Sequence, residues 1–260
     1  MTDKTDQTYR HKTAMRPREP DDHTIHAAPA NLAAAPSASA AALRTPCAGH
    51  SALWLLPPLV FLALAWVSLS ADLPLARWAA GRDYPRAVRE LMSISEAFGH
   101  GVGVTLIVIT IFVLDPARRR RLPRLIAAVL SSGLGANLVK LLIARDRPSA
   151  ADLAQTDAIG TFAGWLPLAH NGSLHQSFPS AHTATAVGLA IMLSALYPRG
   201  RWLFAVLAVS VGAQRILGSA HFLSDVMAGA AVGWFLAMAV AAPAGRPRTF
   251  LSAQPWARAA

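Results

Sequence analysis

Six apolar blocks, separated by polar segments, dominate the hydrophobic pattern from residue 52 onward. They cover residues 52–69, 100–114, 125–143, 180–197, 202–217 and 222–241. A helix needs about 20 predominantly apolar residues to cross a bilayer, and the blocks approach or reach that length. The pattern therefore predicts an all-α fold, a bundle of six transmembrane helices. The second block is short, and residues 91–98 are the candidate for lengthening it.

Polar segments flank the blocks at both ends of the chain. Residues 1–50 are polar at first and then rich in Ala, Pro and Ser, a composition typical of disordered tails. The first block begins too late for a secretory signal peptide, so we expect it to remain as an anchor. The predicted organisation is a disordered cytoplasmic tail at 1–50, a membrane domain at 51–242 and a short cytoplasmic tail at 243–260.

Composition supports a lipid-facing surface. Charged residues make up 15% of the chain, against about 25% in soluble domains. The single cysteine, Cys47, excludes an internal disulfide framework and any multi-cysteine metal site. Small residues in the blocks, such as Gly229 with Gly233 four residues later, predict close helix packing.

The basic excess is uneven along the chain. The formal net charge is +10, and 16 of the 24 Lys and Arg residues fall in the tails and near residues 118–124 and 199–201. These segments share one side of the membrane if every block spans, which is the positive-inside pattern. It predicts a multi-pass protein of the bacterial inner membrane with both termini cytoplasmic, and it argues against nucleic acid as a partner. The arginines at 118–121 are interpreted as a cytoplasmic loop, with contact to anionic lipid headgroups as the alternative.

Ionisable residues at membrane depth are costly and therefore functional candidates. The first such group is Lys140 and Arg147, followed by Pro148, at the end of the third block. Their spacing of seven is nearly two helical turns, so a continuing helix would place both cations on one face. Two cations there form a plausible phosphate clamp. Snorkelling of both side chains to the interface is the alternative.

The second group opens the fourth block. Pro179 and Ser180 precede His182, so free backbone N–H groups and a hydroxyl meet at a predicted helix start. Such a start binds anions, and the histidine is positioned to give a proton to a leaving oxygen. A capping serine beside an interfacial histidine is the alternative.

The third group joins the fifth and sixth blocks. His221 and Asp225 are four residues apart and would share a helix face, with Arg215 just upstream. A carboxylate that holds one imidazole nitrogen leaves the other free to attack. A structural His–Asp pair has the same spacing. All three groups map to the exterior or periplasmic ends of predicted helices 3 to 6.

Taken together, the three groups resemble the signature of the type 2 phosphatidic acid phosphatase superfamily, Lys-x6-Arg-Pro, Pro-Ser-Gly-His and Ser-Arg-x5-His-x3-Asp. Nine positions match, namely Lys140, Arg147, Pro148, Pro179, Ser180, His182, Arg215, His221 and Asp225. Two positions depart from it. Ala181 replaces the glycine but keeps the backbone N–H, and Gln214 replaces the leading serine but still forms hydrogen bonds.

The resemblance implies a role for each matched residue. His221 attacks phosphorus to form a phosphohistidine, Asp225 orients it, and His182 protonates the leaving oxygen and then activates water. The phosphoryl oxygens are held by three cations, one hydroxyl and one backbone N–H, contributed by Lys140, Arg147, Arg215, Ser180 and Ala181. Three fixed cations neutralise a phosphate group without a metal. We therefore expect no cofactor, no metal and full activity in excess chelator.

The expected partner is a lipid phosphate in the bilayer. The resemblance admits undecaprenyl diphosphate, phosphatidylglycerol phosphate, phosphatidic acid or a lipid A phosphate. It also leaves open a phosphotransferase that passes the phosphate to another lipid, and a non-catalytic lipid-binding or transport protein. Vanadium haloperoxidases share the anion-binding motif, but six spanning segments argue against them. Two further histidines, His100 and His175, are weaker candidates for contact with the headgroup.

Overall fold

The computed structural model describes residues 53–81, 84–167 and 172–241. The predicted tails at 1–50 and 243–260 lie outside these ranges and stay predictions. In the described part the helices are α1 Leu56–Gly81, α2 Arg86–Ser95, α3 Gly101–Leu114, α4 Leu122–Lys140, α5 Ala181–Leu196, α6 Arg201–Leu217 and α7 Leu223–Ala241. Short 3₁₀ turns occupy Leu53–Leu55, Glu96–Gly99, Pro116–Arg121, Ser173–His175 and Pro198–Gly200.

The predicted helical character is confirmed for the described residues, with one exception, whereas the count of six spans stays a prediction. A small antiparallel sheet of β1 Ile143–Arg145 and β2 Phe162–Trp165 lies in the segment between α4 and α5. Strand pairing gives the chain a way to satisfy its backbone after α4 ends. The fold is therefore a helical bundle with one short hairpin.

Several helices are suited to crossing a membrane. Four stretches in the described residues are long and apolar enough, namely Leu56–Gly81, Pro116–Lys140, Pro198–Leu217 and Leu223–Ala241. A fifth is the bent pair Arg86–Gly99 and Gly101–Leu114, whose halves meet at 66°. Ala181–Leu196 is apolar but shorter. Large apolar side chains such as Trp66, Leu114 and Val209 face outward. These features describe a multi-pass membrane protein.

Two predicted blocks differ from the helices in length. The first block was expected to end at residue 69, but α1 continues to Gly81. Its last turns contain Asp72, which is buried and held by a partner from β1. The second block is indeed lengthened by residues before 100, through α2 and a 3₁₀ turn. The chain bends sharply there, so the extension does not continue the axis of α3.

Helix α7 lies at the centre and packs against α1, α4 and α5. Its two glycines face α5, where a Cβ at Gly229 would overlap the carbonyl oxygen of Ser180. A Cβ at Gly233 would overlap that of Ala184. Close packing at this glycine pair is therefore confirmed. Backbone contact at this point fixes the first turn of α5 against α7.

Candidate active site

Lys140 is the last residue of α4, and the helix does not continue to Arg147. The expectation that one helix face carries both cations is wrong, because the chain turns into β1 after residue 142. Two tertiary hydrogen bonds place the side chains instead. Lys140 Nζ donates to the Gln176 carbonyl at 2.5 Å, and Arg147 Nε donates to the Ser173 carbonyl at 2.8 Å. Both acceptors belong to the segment that leads into α5.

The predicted cations converge although they come from different elements. Lys140 and Arg147 each lie close enough to interact electrostatically with one another, with Arg215 and with Asp225. Burial lowers the pKa of Arg147, and the neighbouring Arg215 charge lowers it further. Such crowding of like charges is unfavourable without an anion. The cluster is therefore suited to a phosphate group.

The start of α5, where the sequence predicts an anion site, is a helix N-terminus capped by a serine side chain. Ser180 caps the helix, and its Oγ accepts from the Thr183 backbone N–H at 3.4 Å and from the Thr183 hydroxyl at 2.9 Å. The first backbone N–H groups of a helix have no partner within it, and Ala181 and His182 provide two of these. The capping alternative is correct as geometry. A capped helix start of this form can present those two N–H groups to a ligand.

His221 and Asp225 are brought together, though not on one helix face. Helix α7 begins at Leu223, so His221 lies in the connection that precedes it. His221 Nδ1 is 3.7 Å from Asp225 Oδ2 and 3.5 Å from Ser177 Oγ, and the histidine is almost fully buried. Because the acid faces Nδ1, Nε2 is the nitrogen left for attack. Burial lowers the pKa of His221, while Asp225 acts in the opposite direction. His221 therefore stays neutral, and able to act as a nucleophile, at pH values somewhat below the usual pKa of histidine.

Asp225 itself is held by a residue that the sequence analysis did not assign. Arg145 Nη1 donates to Asp225 Oδ1 at 2.6 Å, and Ser177 Oγ donates to Oδ2 at 2.6 Å. The backbone N–H of Phe222 also donates to Oδ2, at 2.8 Å. The carboxylate is thereby fixed on both oxygens and fully buried.

Arg145 connects this carboxylate to α1. Its Nη2 donates to Asp72 Oδ2 at 2.7 Å, its Nη1 also reaches Ser224 Oγ at 2.7 Å, and its Nε donates to Thr161 Oγ1 at 3.0 Å. The rings of Phe162 and Phe222 lie within 4.4 Å of its guanidinium carbon. The Arg145 network, meaning Arg145 with Asp72, Thr161, Ser224 and Asp225, was missed for a simple reason. Apart from Asp225, its members lie outside the matched motif positions, so neither the hydrophobic pattern nor the motif spacing singles them out.

A second carboxylate missed by the sequence analysis is Glu96, in the 3₁₀ turn before α3. Glu96 Oε1 accepts from Arg215 Nη1 at 2.7 Å and lies 3.6 Å from His182 Nε2. Glu96 Oε2 accepts from Gln214 Nε2 at 3.0 Å. Close contact of Gly99 with α5 holds the turn in place, since a Cβ there would meet the His182 carbonyl oxygen at 2.7 Å.

Arg215 keeps one donor unused. Its Nε is buried without a hydrogen-bond partner among the residues that the structure describes. Leaving a buried donor unpaired costs about 1–3 kcal/mol. A phosphoryl oxygen is the kind of acceptor that would satisfy it.

The two remaining histidine candidates, His100 and His175, lie in different surroundings. The ring of His100 lies 5.8 Å from that of His182, so His100 borders the site. His175 is exposed and its Nδ1 is 2.5 Å from Asp146 Oδ1, which ties it into the loop. In the described ranges no group of three or more His, Cys, Asp and Glu side chains is arranged to hold a metal ion.

Known proteins provide independent comparisons. Residues 121–245 match the family described as the PAP2 superfamily. A lipid A 1-phosphatase of Rhizobium etli is 29% identical over 205 residues, which cover 69% of this chain and 84% of that protein. A lipid A 1-phosphatase of Rhizobium johnstonii is also 29% identical over 205 residues and is covered to 80%.

A solved structure shares the fold. The PAP2-type phosphatidylglycerolphosphate phosphatase of Bacillus subtilis superimposes with a TM-score of 0.51 at 20% sequence identity. The match covers 74% of this chain and 94% of that one. At this identity the likeness concerns the arrangement of helices alone.

Proposed function

Because the chain carries a PAP2 superfamily domain over residues 121–245, we propose that it dephosphorylates a membrane lipid through a phosphohistidine on His221. That it is a membrane phosphatase follows from the domain and from its relatives. The observation that carries the mechanism is the buried contact of His221 with Asp225 beside three converging cations.

The first step transfers the phosphoryl group to the protein. His221 Nε2 attacks phosphorus, the bond to the leaving oxygen breaks, and its electron pair stays on that oxygen. His182 supplies the proton that makes the leaving group neutral. Asp225 stabilises the positive charge that develops on the His221 ring, and Arg145 holds Asp225 in position.

The second step releases phosphate. His182, now neutral, takes a proton from water, the water oxygen attacks phosphorus, and the bond to His221 breaks. Throughout both steps Lys140, Arg147 and Arg215 face the phosphoryl oxygens. Fixed cations of this kind stabilise transition-state charge without reorganisation. We propose on this ground that the reaction needs no metal.

The proposal includes a topology. The catalytic residues come from the C-terminal ends of α4 and α6 and the N-terminal ends of α5 and α7, so they meet at one end of the bundle. Arginines crowd the other end, near residues 118–124 and 199–201. By the positive-inside rule the catalytic end faces the periplasm and both termini are cytoplasmic. In this arrangement the shorter helix α5 is the fourth span along the chain and brings the number of spans to six.

The proposed substrate is a lipid phosphate, and lipid A 1-phosphate is the first one to test. Two relatives named as lipid A 1-phosphatases support this choice, each matched along most of its length. The headgroup would reach the site from the bilayer surface, with its acyl chains among the outward-facing apolar side chains of the helices.

The experiment is phosphate release by the purified protein from a panel of lipid phosphates, with His221→Ala alongside. Wild type should release phosphate from at least one lipid, with and without excess chelator. His221→Ala should fall to background, on the order of 10⁴-fold or more below wild type, because nucleophilic catalysis is lost. Wild type should also carry an acid-labile, alkali-stable phosphate after quenching.

Two outcomes would contradict the proposal. Equal rates for His221→Ala and wild type would exclude His221 as the nucleophile. Activity that is lost in chelator and restored by magnesium would exclude the metal-free mechanism. His175→Ala is the matched control, since it removes an exposed loop histidine tied to Asp146 and should keep wild-type activity.

A further inference from the structure

Glu96 is a second carboxylate in the site, besides Asp225, and the two-step mechanism above does not use it. It lies at the bend between α2 and α3, outside residues 121–245. About a third of its side chain is exposed, as is a similar share of His182. An acidic group beside a phosphate ligand lowers the affinity for that ligand. Its presence in the site therefore calls for another purpose.

The position of Glu96 relative to His182 indicates that purpose. Glu96 Oε1 lies 3.6 Å from His182 Nε2. If His182 protonates the leaving oxygen, that oxygen must approach the same ring. The part of the substrate that is bonded to this oxygen then lies beside Glu96.

Glu96 is also held firmly. Arg215 Nη1 and Gln214 Nε2 donate to its two oxygens at 2.7 and 3.0 Å, so both carboxylate oxygens are anchored. Gln214 stands where the superfamily signature has serine. The Gln214 side-chain amide donates a hydrogen bond to Glu96. This contact gives the departure from the signature a role.

We infer that Glu96 selects the leaving group, favouring a phosphomonoester whose leaving oxygen belongs to a neutral, hydroxyl-bearing headgroup over a diphosphate. A carboxylate accepts hydrogen bonds from hydroxyl groups and repels a second phosphate. In a diphosphate the leaving group is itself a phosphate, and its charge would lie next to Glu96. In a sugar or glycerol phosphomonoester the neighbouring hydroxyls become donors to it. This inference rests on the proposed function and narrows its substrate class.

The test uses two substrates that differ only in the leaving group, farnesyl phosphate and farnesyl diphosphate. Release of inorganic phosphate gives kcat/KM for each. Wild type should prefer the monophosphate, and Glu96→Gln should reduce that preference about tenfold, mainly by improving diphosphate turnover. Gln214→Ser, which removes one of the two donors to Glu96, should reduce it by a smaller factor.

The matched control is Glu90→Gln, which removes the same charge from the exposed face of α2, where Glu90 pairs with Arg86. It should leave the preference unchanged. An unchanged ratio in Glu96→Gln would overturn the inference, and so would an equal loss on both substrates, which indicates a purely structural role. An equal change in Glu90→Gln would also overturn it, because general surface charge would then explain the result.

His221→Ala separates this inference from the proposed function. If that variant is inactive while Glu96→Gln keeps the wild-type ratio, only the role of Glu96 fails. If His221→Ala stays active, the phosphohistidine mechanism fails as well.

Discussion

Two arginines about 70 residues apart in sequence meet carboxylates in opposite ways. Arg145 is fully buried between Asp72 and Asp225, and each of its three nitrogens has a partner. Arg215 pairs with Glu96 through Nη1 alone, and its buried Nε has no partner in the part of the chain that the structure describes. Within the described residues, every nitrogen of the Arg145 guanidinium is hydrogen-bonded, whereas the buried Nε of Arg215 still lacks an acceptor.

The difference teaches how charge is divided in this site. A buried charge is tolerated only when it is paired and hydrogen-bonded, and the Arg145 network meets that condition without any ligand. Arg215 is paired with Glu96, but its buried Nε meets that condition only once an acceptor arrives. Arg145 therefore stabilises the fold and orients Asp225, whereas Arg215 is available to bind the substrate. Substitutions at the two positions should separate stability from activity.

The largest effect is expected from Arg145→Met. It leaves two buried carboxylates without their cation, and breaking a buried pair in this way costs about 3–5 kcal/mol. The variant should lose much of its thermal stability in detergent, measured by the unfolding midpoint, and should lose activity with it. Arg147→Met, two residues on and only half-buried, is the control and should unfold near the wild-type midpoint. Equal midpoints for Arg145→Met and wild type would show that the network is not structural.

A smaller but cleaner effect is expected from Arg215→Gln. Removal of one cation that faces developing phosphoryl charge typically costs about 10²- to 10³-fold in kcat. The unfolding midpoint should change little, because Glu96 is partly exposed and keeps Gln214. Arg201→Gln, at the other end of α6, should match wild type in both measurements. A large drop in stability with unchanged kcat would reverse the assignment of the two arginines.

The smallest effect is expected from Ser177→Ala. It removes one of the hydrogen bonds to Asp225 Oδ2 while the bonds from Arg145 and the Phe222 backbone remain. One such bond is worth about 1 kcal/mol, or about fivefold in kcat. Ser173→Ala, an exposed serine nearby, is the comparison in the same kinetic assay. A loss as large as that of Arg215→Gln would mean that Ser177 contacts the substrate.

Much of the site could be predicted because its residues are ionisable and lie within or beside apolar blocks. That criterion found Lys140, Arg215 and Asp225 from the sequence. The three cations lie near one another in the structure, and their role in binding phosphate stays a prediction. The helical face expected for Lys140 and Arg147 is wrong. Helical spacing extended the pattern past the point where the chain leaves α4 to form β1.

Asp72 and Glu96 could not be found in the same way. Both lie between the first two apolar blocks and outside the three motif groups. Their partners lie 73 and 119 residues further along the chain, so only tertiary packing brings them together. The position of Asp72 just beyond the first apolar block was the available signal, since a helix that continues past residue 69 places it at a buried position of α1.

The close approach of Gly99 to α5 has a consequence for protein engineering. The 3₁₀ turn that carries Glu96 rests directly on the His182 carbonyl, with no side chain between the two backbones. Residue 99 therefore offers almost no freedom for redesign, because any larger side chain would move the turn away from the catalytic histidine. Residue 96, on the same turn, is open to exchange. A library of variants aimed at new headgroups is best varied at residues 96 and 214. Residue 99 is kept as glycine, so that the turn stays at its present distance from His182.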